Sequence, residues 1–414
     1  MIKSRWLHTS MVVLLLALMG CAQASLPTPV PTPVPTHTPS PPPTPPAPQY
    51  DPEPITITVC AEGCTFSRIQ AAIDSAQTSD GDLITVMDGV HVEAGITVHK
   101  DITVQGLGAD RSIVQAHTSA NGAPDRVFLV PEGTTVRIRG MTIRHGHPNS
   151  YPRGGGGIAN FGHLTVERCV VRDNSANDGG GIFNQGTLTV VYSSISDNLG
   201  DKEAPSGYEC GSGGGIKNGF RGTLILENCS IHGNRALGKG GGIFVACEGT
   251  ATITNCTISN NLAVRNGGGV YIKGAGKLVH CTVAQNKSSE SGGGIYVRGT
   301  MDWSNCLVAG NVKQDVTIGG EGGYKGKGVI NTNLFNWVAD GSCPSDHSGD
   351  VSLGPLADNG GGTLTHSLLP GSPAIDVIPA TACSLPSDQR GEPRPIHISS
   401  AAPVCDVGAF EWWP

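Results

Sequence analysis

Residues 240–261 read GGGIFVACEGTATITNCTISNN, and this unit decides the fold. It starts with a glycine run and an isoleucine, continues as alternating apolar and polar residues, and ends in Cys-x-Ile-x-x-Asn. Most copies start 24 to 27 residues after the previous one. A period of two predicts β-strands, and the spacing is too short for two helices per repeat. The opening occurs six times, at 155–158, 179–182, 213–216, 240–243, 267–270 and 292–295.

Two positions near the end of each unit predict ladders of stacked side chains. Stacked coils place equivalent positions about 4.8 Å apart. We therefore expect the asparagines to hydrogen-bond from coil to coil and the cysteines to be small buried apolar residues rather than disulfides. The asparagines are Asn174, Asn198, Asn234, Asn261, Asn286 and Asn311; five residues before each stands Cys169, Ser193, Cys229, Cys256, Cys281 or Cys306.

The repeat resembles the right-handed parallel β-helix proteins of the pectin-lyase-like superfold, and its glycine and asparagine rhythm is similar to the repeats of chlamydial polymorphic outer-membrane proteins. The resemblance covers about residues 56–340 and implies an all-β, right-handed parallel β-helix, a solenoid over 51–345. Upstream, Phe66, Ile69, Ala72, Ile73 and Ala76 form an apolar stripe at helical spacing. This stripe predicts a short helix that caps the N-terminal end of the solenoid.

The N-terminal residues indicate export. Lys3 and Arg5 precede an apolar run that ends at Gly20-Cys21, which resembles a bacterial lipobox, although Met19 stands where a smaller residue is usual. The resemblance implies a signal peptide over 1–20 and a lipid on Cys21. Cleavage near residues 22–24 by an ordinary signal peptidase, with loss of Cys21, is the alternative.

A proline-rich segment follows the signal. Residues 27–48 hold 12 of the 29 prolines, so we expect 21–50 to be an extended tether. Together, anchor and tether predict an exported cell-envelope lipoprotein that faces outward.

The C-terminal part contains three motifs: Leu-Leu-Pro-Gly-Ser-Pro-Ala-Ile-Asp at 368–376, Asp-Gln-Arg-Gly at 388–391 and Cys-Asp-Val-Gly-Ala-Phe-Glu at 405–411. In this order they resemble the choice-of-anchor domains of bacterial surface proteins. We expect residues 346–414 to form a capping segment that closes the C-terminal end of the solenoid.

The remaining cysteines predict disulfides in an exported protein. The candidate pairs are Cys60 with Cys64, Cys383 with Cys405, and Cys210 with Cys247. Cys60 and Cys64 have a spacing that suits a metal, but no second Cys/His pair follows at zinc-site distances, so we expect neither a metal nor another cofactor.

Composition limits the partners. A net charge of −7 and a pI near 6.0 give no case for nucleic acid. With 38% apolar residues the chain can bury a core. We expect a monomer that contacts the membrane through its lipid.

Two sets of residues are candidates for carbohydrate binding. The position after the repeat Ile/Val carries Phe183, Phe244, Tyr271 and Tyr296, which form either an outward aromatic stripe or an internal aromatic stack. Lys273 and Arg298, each three residues after the repeat Ile/Val, form either a small basic patch or a solvated face. The second set lies in two longer connections at one corner, and consists of His147, Tyr151, Arg153, Asp201, Glu203, Tyr208 and Glu209.

Three functions remain open. Binding or adhesion, to a polysaccharide or a cell-surface glycan, is favoured because the repeat specifies a scaffold without a catalytic set. A polysaccharide lyase or glycoside hydrolase is the alternative, although the paired carboxylates and sequence motifs of the hydrolases are missing. Asp173 and Asp197 stack before ladder asparagines, but we interpret them as turn residues. A structural envelope protein is third.

Overall fold

The computed structural model describes residues 56–120, 122–149, 154–201, 211–319, 328–395 and 404–413. The predicted signal peptide, Cys21 and the tether lie outside these residues. In the described part, no helix is long and apolar enough to cross a bilayer.

The repeat forms a parallel β-helix in which successive coils add one strand to each of three long sheets. The described strands of sheet 1 are β1 (Thr56–Val59), β2 (Leu83–Val86), β5 (Thr103–Gly106), β8 (Thr135–Arg139), β11 (His163–Glu167), β15 (Thr187–Val191), β19 (Thr223–Glu227), β23 (Thr250–Thr254), β27 (Ala275–Val279), β31 (Thr300–Ser304) and β34 (Val329–Leu334).

Sheet 2 follows sheet 1 around each coil. Its described strands are β3 (Gly89–Val92), β6 (Ser112–Gln115), β9 (Thr142–Arg144), β12 (Val170–Arg172), β16 (Ser194–Ser196), β20 (Ser230–His232), β24 (Thr257–Ser259), β28 (Thr282–Ala284), β32 (Leu307–Ala309) and β35 (Trp337–Val338).

Sheet 3 precedes sheet 1, and a short sheet 4 lies between sheets 2 and 3. The described strands of sheet 3 are β4 (Ile96–Thr97), β7 (Phe128–Val130), β10 (Ile158–Asn160), β14 (Ile182–Asn184), β18 (Ile216–Asn218), β22 (Ile243–Val245), β26 (Val270–Ile272), β30 (Ile295–Val297) and β33 (Val316–Ile318). Those of sheet 4 are β13 (Ser175–Ala176), β17 (Leu199–Gly200), β21 (Arg235–Ala236), β25 (Leu262–Ala263) and β29 (Lys287–Ser288).

The inward residues of sheets 1 to 3 form one continuous apolar core. Register is strict, as in Ile231, Ile258 and Val283, which stack in successive coils of sheet 2. The predicted cysteines lie in this core as free, buried thiols. The fold prediction is therefore confirmed.

The predicted asparagine ladder is confirmed by the side-chain hydrogen bonds between successive coils. Each side-chain amide donates to the amide oxygen of the next coil at 2.9 to 3.0 Å, from Asn174 to Asn311. The residue before each ladder asparagine has a left-handed backbone, including Asp173 (φ 54°) and Asp197 (φ 55°), which are turn residues as predicted. A second ladder, Asn160 to Asn184 to Asn218, was not predicted.

The N-terminal end carries the predicted cap. Helix α1 (Ile69–Asp74) buries Ile69, Ala72 and Ile73 against β1, β2 and β4. The buried Glu93 carboxylate accepts the backbone N–H groups of Ile69 and Gln70, which begin the helix.

The predicted C-terminal capping segment contacts both the end and the side of the solenoid: His347 pairs with Asn336 and Val338 of the last coil, and the later elements extend along sheet 2. It contains the antiparallel pairs β36 (Leu353–Ala357) with β37 (Thr365–Leu368) and β38 (Ile378–Pro379) with β39 (Val404–Cys405), and a 3-10 turn at Ala380–Ala382. These elements pack along the outer face of sheet 2. The outer face of sheet 2 can pack against these elements because its outward residues, such as Thr257, Ser259 and Leu307, are small or apolar. These residues are buried beneath the segment.

Candidate functional site

One corner of the solenoid, where sheet 1 turns into sheet 2, holds a row of residues with left-handed backbone. A φ near +50° to +65° suits glycine and asparagine and is unusual for larger residues. Arg168 (φ 49°) and Tyr192 (φ 48°) are two large residues that adopt this conformation in the solvent-exposed part of the corner. The row is Gly140, Arg168, Tyr192, Asn228, Asn255, His280, Asn305 and Phe335.

The C-terminal segment covers the later part of this row. Asn255 donates to the Ser387 carbonyl at 2.9 Å, and Asn305 donates to the Ala382 carbonyl at 2.9 Å. His280 accepts a hydrogen bond at Nδ1 from the Arg394 guanidinium at 2.6 Å. The cover stops before Tyr192, so Arg168 and Tyr192 stay open to solvent.

A groove lies where the cover stops. Arg168, Tyr192 and Ser194 line it from the solenoid, and Gly361–Gly362 and Arg390–Gly391 line it from the C-terminal segment. Its volume is about 460 Å³. We call it the corner groove.

A second hollow of about 410 Å³ continues the corner groove along the same corner. The two share Ala109 and Arg168, and the second is also lined by Arg139 and Glu167. The two hollows are therefore neighbours along one corner of the solenoid.

The corner groove presents an aromatic ring beside a cation. The Arg168 guanidinium lies 5.1 Å from the centroid of the Tyr192 ring, and its side chain is 64% exposed. Tyr192 is 39% exposed. A ring of this kind offers an apolar face to a sugar, and a guanidinium offers paired donors to an anion.

Positive charge exceeds negative charge around the corner groove. Arg139, Arg168 and Arg390 line the two hollows, against one lining carboxylate, that of Glu167. Glu167 pairs with Arg137 and Arg168, while Asp388 is fully buried and accepts three backbone N–H groups. The surface suits an anion more than a cation.

The predicted aromatic residues lie elsewhere, and three of them form the internal stack. Phe244, Tyr271 and Tyr296 are buried, with ring centroids 5.1 Å apart in successive coils. The rings point out of sheet 3, but the glycine runs fold over them: a Cβ on Gly267 would lie 2.8 Å from that of Tyr271. They cannot stack on a ligand. Phe183 is half-buried at the end of the same column.

The predicted basic pair is remote from the corner groove. Lys273 and Arg298 follow β26 and β30, at the corner between sheets 3 and 1, and both are half-buried. The structure brings them into adjacent coils but does not join them to Arg168.

The two longer connections do meet at one corner, as expected. His147 Nδ1 lies 3.4 Å from Asp201 Oδ2 and 2.6 Å from the hydroxyl of Ser175, which the sequence did not single out. Tyr151, Arg153, Glu203, Tyr208 and Glu209 lie outside the described residues. This corner adjoins sheet 4 and is separate from the corner groove.

Cysteine pairing agrees with the prediction where it is described. Cys60 bonds to Cys64 and Cys383 bonds to Cys405. Cys247 is half-buried, and its proposed partner Cys210 lies outside the described residues. Across the part of the chain that is described, no group of three His, Cys, Asp or Glu side chains is placed to hold a metal ion.

The comparisons with known proteins agree with this architecture. A family model described as the right-handed beta helix region matches residues 126–313 and 241–339, which together span 126–339 and so more than half of the 414 residues. The chain belongs to this family. Its fold is the right-handed parallel β-helix. No curated protein matched the chain.

Solved structures with a similar fold include three polysaccharide-related proteins, all distant in sequence. Pectate lyase Pel9A is 14% identical, with 86% of this chain and 97% of that chain covered and a TM-score of 0.45. The A-module of the Azotobacter vinelandii mannuronan C-5 epimerase AlgE4 is 15% identical, with 66% and 83% covered and a TM-score of 0.40. The pectin methylesterase PemA from Erwinia chrysanthemi is 11% identical, with 71% and 92% covered and a TM-score of 0.35.

Proposed function

We propose that this protein is an exported, lipid-anchored β-helix that binds an acidic polysaccharide in the corner groove. The observation that carries the proposal is the pair Arg168 and Tyr192. Two bulky side chains occupy left-handed corner positions of the kind that Asn228 and Asn255 fill in later coils. Backbone strain of this kind concentrates at functional sites.

The chemistry of the pair selects the ligand class. Tyr192 would lie against one face of a sugar ring, and Arg168 would donate hydrogen bonds to a carboxylate or sulfate on the same or the next unit. The excess of arginine supports an acidic polymer over a neutral one. The backbone of Gly361–Gly362 supports close approach, because no side chain projects from that wall.

Binding is favoured over hydrolysis because the corner groove has no pair of free carboxylates among its described residues. Glu167 is held by two arginines, and Asp388 is buried under Arg390. A lyase is the second candidate. Arginine is a residue type that can act as the base of a polysaccharide lyase, and Arg168 is exposed beside a carboxylate in a site suited to anions. A structural role without any ligand is third.

The test measures binding of the full chain carrying C21S, which removes the predicted lipidation site, to polygalacturonate, alginate, chondroitin sulfate and neutral dextran. We expect binding to at least one acidic polymer and none to dextran. R168N should weaken that binding about tenfold or more, since a charge-assisted hydrogen bond is worth about 1.5–3 kcal/mol. Asparagine keeps the left-handed turn, so the fold should be retained.

R221N is the matched control. Arg221 also has a left-handed backbone (φ 60°), lies over an aromatic ring, Phe220, and is exposed, but it is far from the corner groove in the fold. Equal loss in R168N and R221N, or no binding to any acidic polymer, contradicts the proposal. Release of unsaturated products by the wild type and not by R168N would replace binding with lyase activity.

A further inference from the structure

The corner groove contains a serine that lies beside a histidine. Ser194 is on β16 and lines the corner groove together with Tyr192. Its hydroxyl lies 3.2 Å from Nε2 of His232, which is on β20, the next strand of sheet 2. The two side chains meet because Ser194 is in register with Ser230, two residues before His232 and on the same face of the sheet. A hydroxyl within hydrogen-bond reach of an imidazole nitrogen is the arrangement of an activated nucleophile.

The surroundings of His232 keep its imidazole neutral. The ring is half-buried, and burial lowers the pKa of His232 below its usual value, against the opposing charge of Asp197. A neutral imidazole has one nitrogen that can accept a proton. Nε2 can therefore take the proton of the Ser194 hydroxyl, as a general base does.

The opposite wall of the corner groove offers backbone donors. Gly361 and Gly362 have left-handed backbones (φ 84° and 85°), and within the described part of the chain their N–H groups donate to no backbone carbonyl. A Cβ on Gly361 would lie 2.3 Å from Cα of Arg390, so this position requires glycine. Backbone N–H groups can stabilise the negative oxygen that forms when a serine attacks a carbonyl. Nucleophile, base and donors thus line one groove.

We propose that the corner groove is also an esterase site, in which Ser194 and His232 remove O-acetyl groups from an acidic polysaccharide. The inference rests on the proposed function, because Arg168 and Tyr192 would hold the polymer. Arg168 would bind a free carboxylate, so the ester is on a sugar hydroxyl and not on that carboxylate. A small acyl group fits a wall from which no side chain of Gly361 or Gly362 projects.

The reaction has two stages, and His232 moves the proton in each. The Ser194 oxygen bonds to the carbonyl carbon of the acetyl group while its proton passes to Nε2 of His232. The bond from that carbon to the sugar oxygen then breaks, and His232 gives the proton to the sugar oxygen. Water attacks the acetyl group on Ser194 with His232 as the base, which releases acetic acid and restores the serine.

The experiment measures acetate released from O-acetylated polygalacturonate by the full chain carrying C21S. In parallel, a fluorophosphonate probe labels activated serines, and mass spectrometry locates the label. We expect acetate release and labelling of Ser194. S194A should lose the label, and S194A and H232Q should each lower the rate at least about 100-fold. Both variants should still bind polygalacturonate, because Arg168 and Tyr192 are unchanged.

S230A is the matched control. Ser230 occupies the column of Ser194 one coil further on, and its buried hydroxyl has no hydrogen-bond partner among the described residues. Its rate and label should equal those of the parent. Polymer binding by the parent without acetate release, or equal rates in S194A and S230A, would overturn the esterase inference and leave the binding proposal standing. Labelling of Ser194 without polymer binding would instead overturn the polysaccharide as the substrate.

Discussion

The asparagine ladder shows how single residues hold the coils in register. The side chain of Asn261 is fully buried and makes four hydrogen bonds: it donates to the Ile231 carbonyl and to Asn286, and it accepts from the backbone and the side chain of Asn234. No water reaches this position, so each bond must be made within the protein. Asparagine is required because it has both donors and an acceptor at the end of a short side chain.

Asn261→Ala should therefore lower the free energy of unfolding by about 2–4 kcal/mol, because it leaves buried donors and acceptors without partners. The measurement is urea denaturation followed by far-UV circular dichroism. N260G is the control: Asn260 is exposed, its backbone is left-handed (φ 55°), and glycine accepts that conformation. A loss in N261A no larger than that in N260G would mean that the ladder adds little to stability.

At the scale of elements, the C-terminal motifs dock their segment onto sheet 2. Gln389 accepts from the Thr257 hydroxyl at 2.7 Å and donates to Thr363. The fully buried Arg394 donates to the carbonyls of Asp406 and Gly408 and pairs with Glu411 at 3.5 Å. The Asp-Gln-Arg-Gly and Cys-Asp-Val-Gly-Ala-Phe-Glu sequences thus form the interface.

This interface contains carboxyl groups whose titration is shifted. Burial raises the pKa of Glu411 to about 8, even though the charge of Arg394 opposes the rise. Burial also raises the pKa of Asp406 to about 6. An acid with a raised pKa holds its proton more tightly when folded, so its contribution is complete below its unfolded pKa and is lost as the pH rises through the folded value.

Glu411→Gln should consequently flatten the pH dependence of stability. In the wild type, the contribution of Glu411 falls by about 2–4 kcal/mol between about pH 5 and about pH 9, whereas glutamine does not ionise. Urea denaturation followed by tryptophan fluorescence measures this, because Trp337 and Trp412 lie at the interface. E392Q changes an exposed carboxylate of the same segment and should behave as the wild type. Parallel pH profiles for wild type and E411Q would refute the shifted titration.

The sequence predicted the contacts between residues that occupy the same position in successive repeats. Asn234 and Asn261 stack because both occupy the same repeat position, so spacing alone identifies the contact. The corner groove could not be found in this way, because Arg168 and Arg390 meet through docking of a segment more than 200 residues later. The available signal was local: an arginine and a tyrosine stand before the ladder residues Cys169 and Ser193, where asparagine or histidine stands in the next four coils.

The aromatic residues show the limit of alternation as a guide to exposure. Tyr271 points away from the main core, as strand alternation requires, yet it is fully buried. The covering layer is the glycine run of its own coil, whose first residue, Gly267, has a φ of 72°. A period-two pattern identifies the face of a strand but not what packs on that face.

For the whole molecule, a negative net charge and a positively charged groove have opposite effects on an acidic polymer. The charge of −7 repels a polyanion at long range, but this repulsion is screened beyond about 8 Å at physiological ionic strength. Contact with Arg168 acts within that distance. If the corner groove binds an acidic polymer as proposed, its affinity would depend on the shape and contacts of the groove rather than on long-range electrostatic steering.

Membrane anchoring through Cys21 is a prediction about the whole chain. If Cys21 carries a lipid, residues 27–48 would let the solenoid reach roughly 70 Å from the membrane, at about 3.1 Å per residue of extended chain. Cys21→Ser should then move the protein from the membrane fraction to the soluble fraction, as measured by immunoblotting after fractionation of the producing cells. Ala22→Ser, one residue further on, should leave it membrane-bound. Retention of C21S in the membrane fraction would refute lipidation, and release of both variants would indicate that the cleavage site as a whole, rather than the thiol, determines where the protein resides.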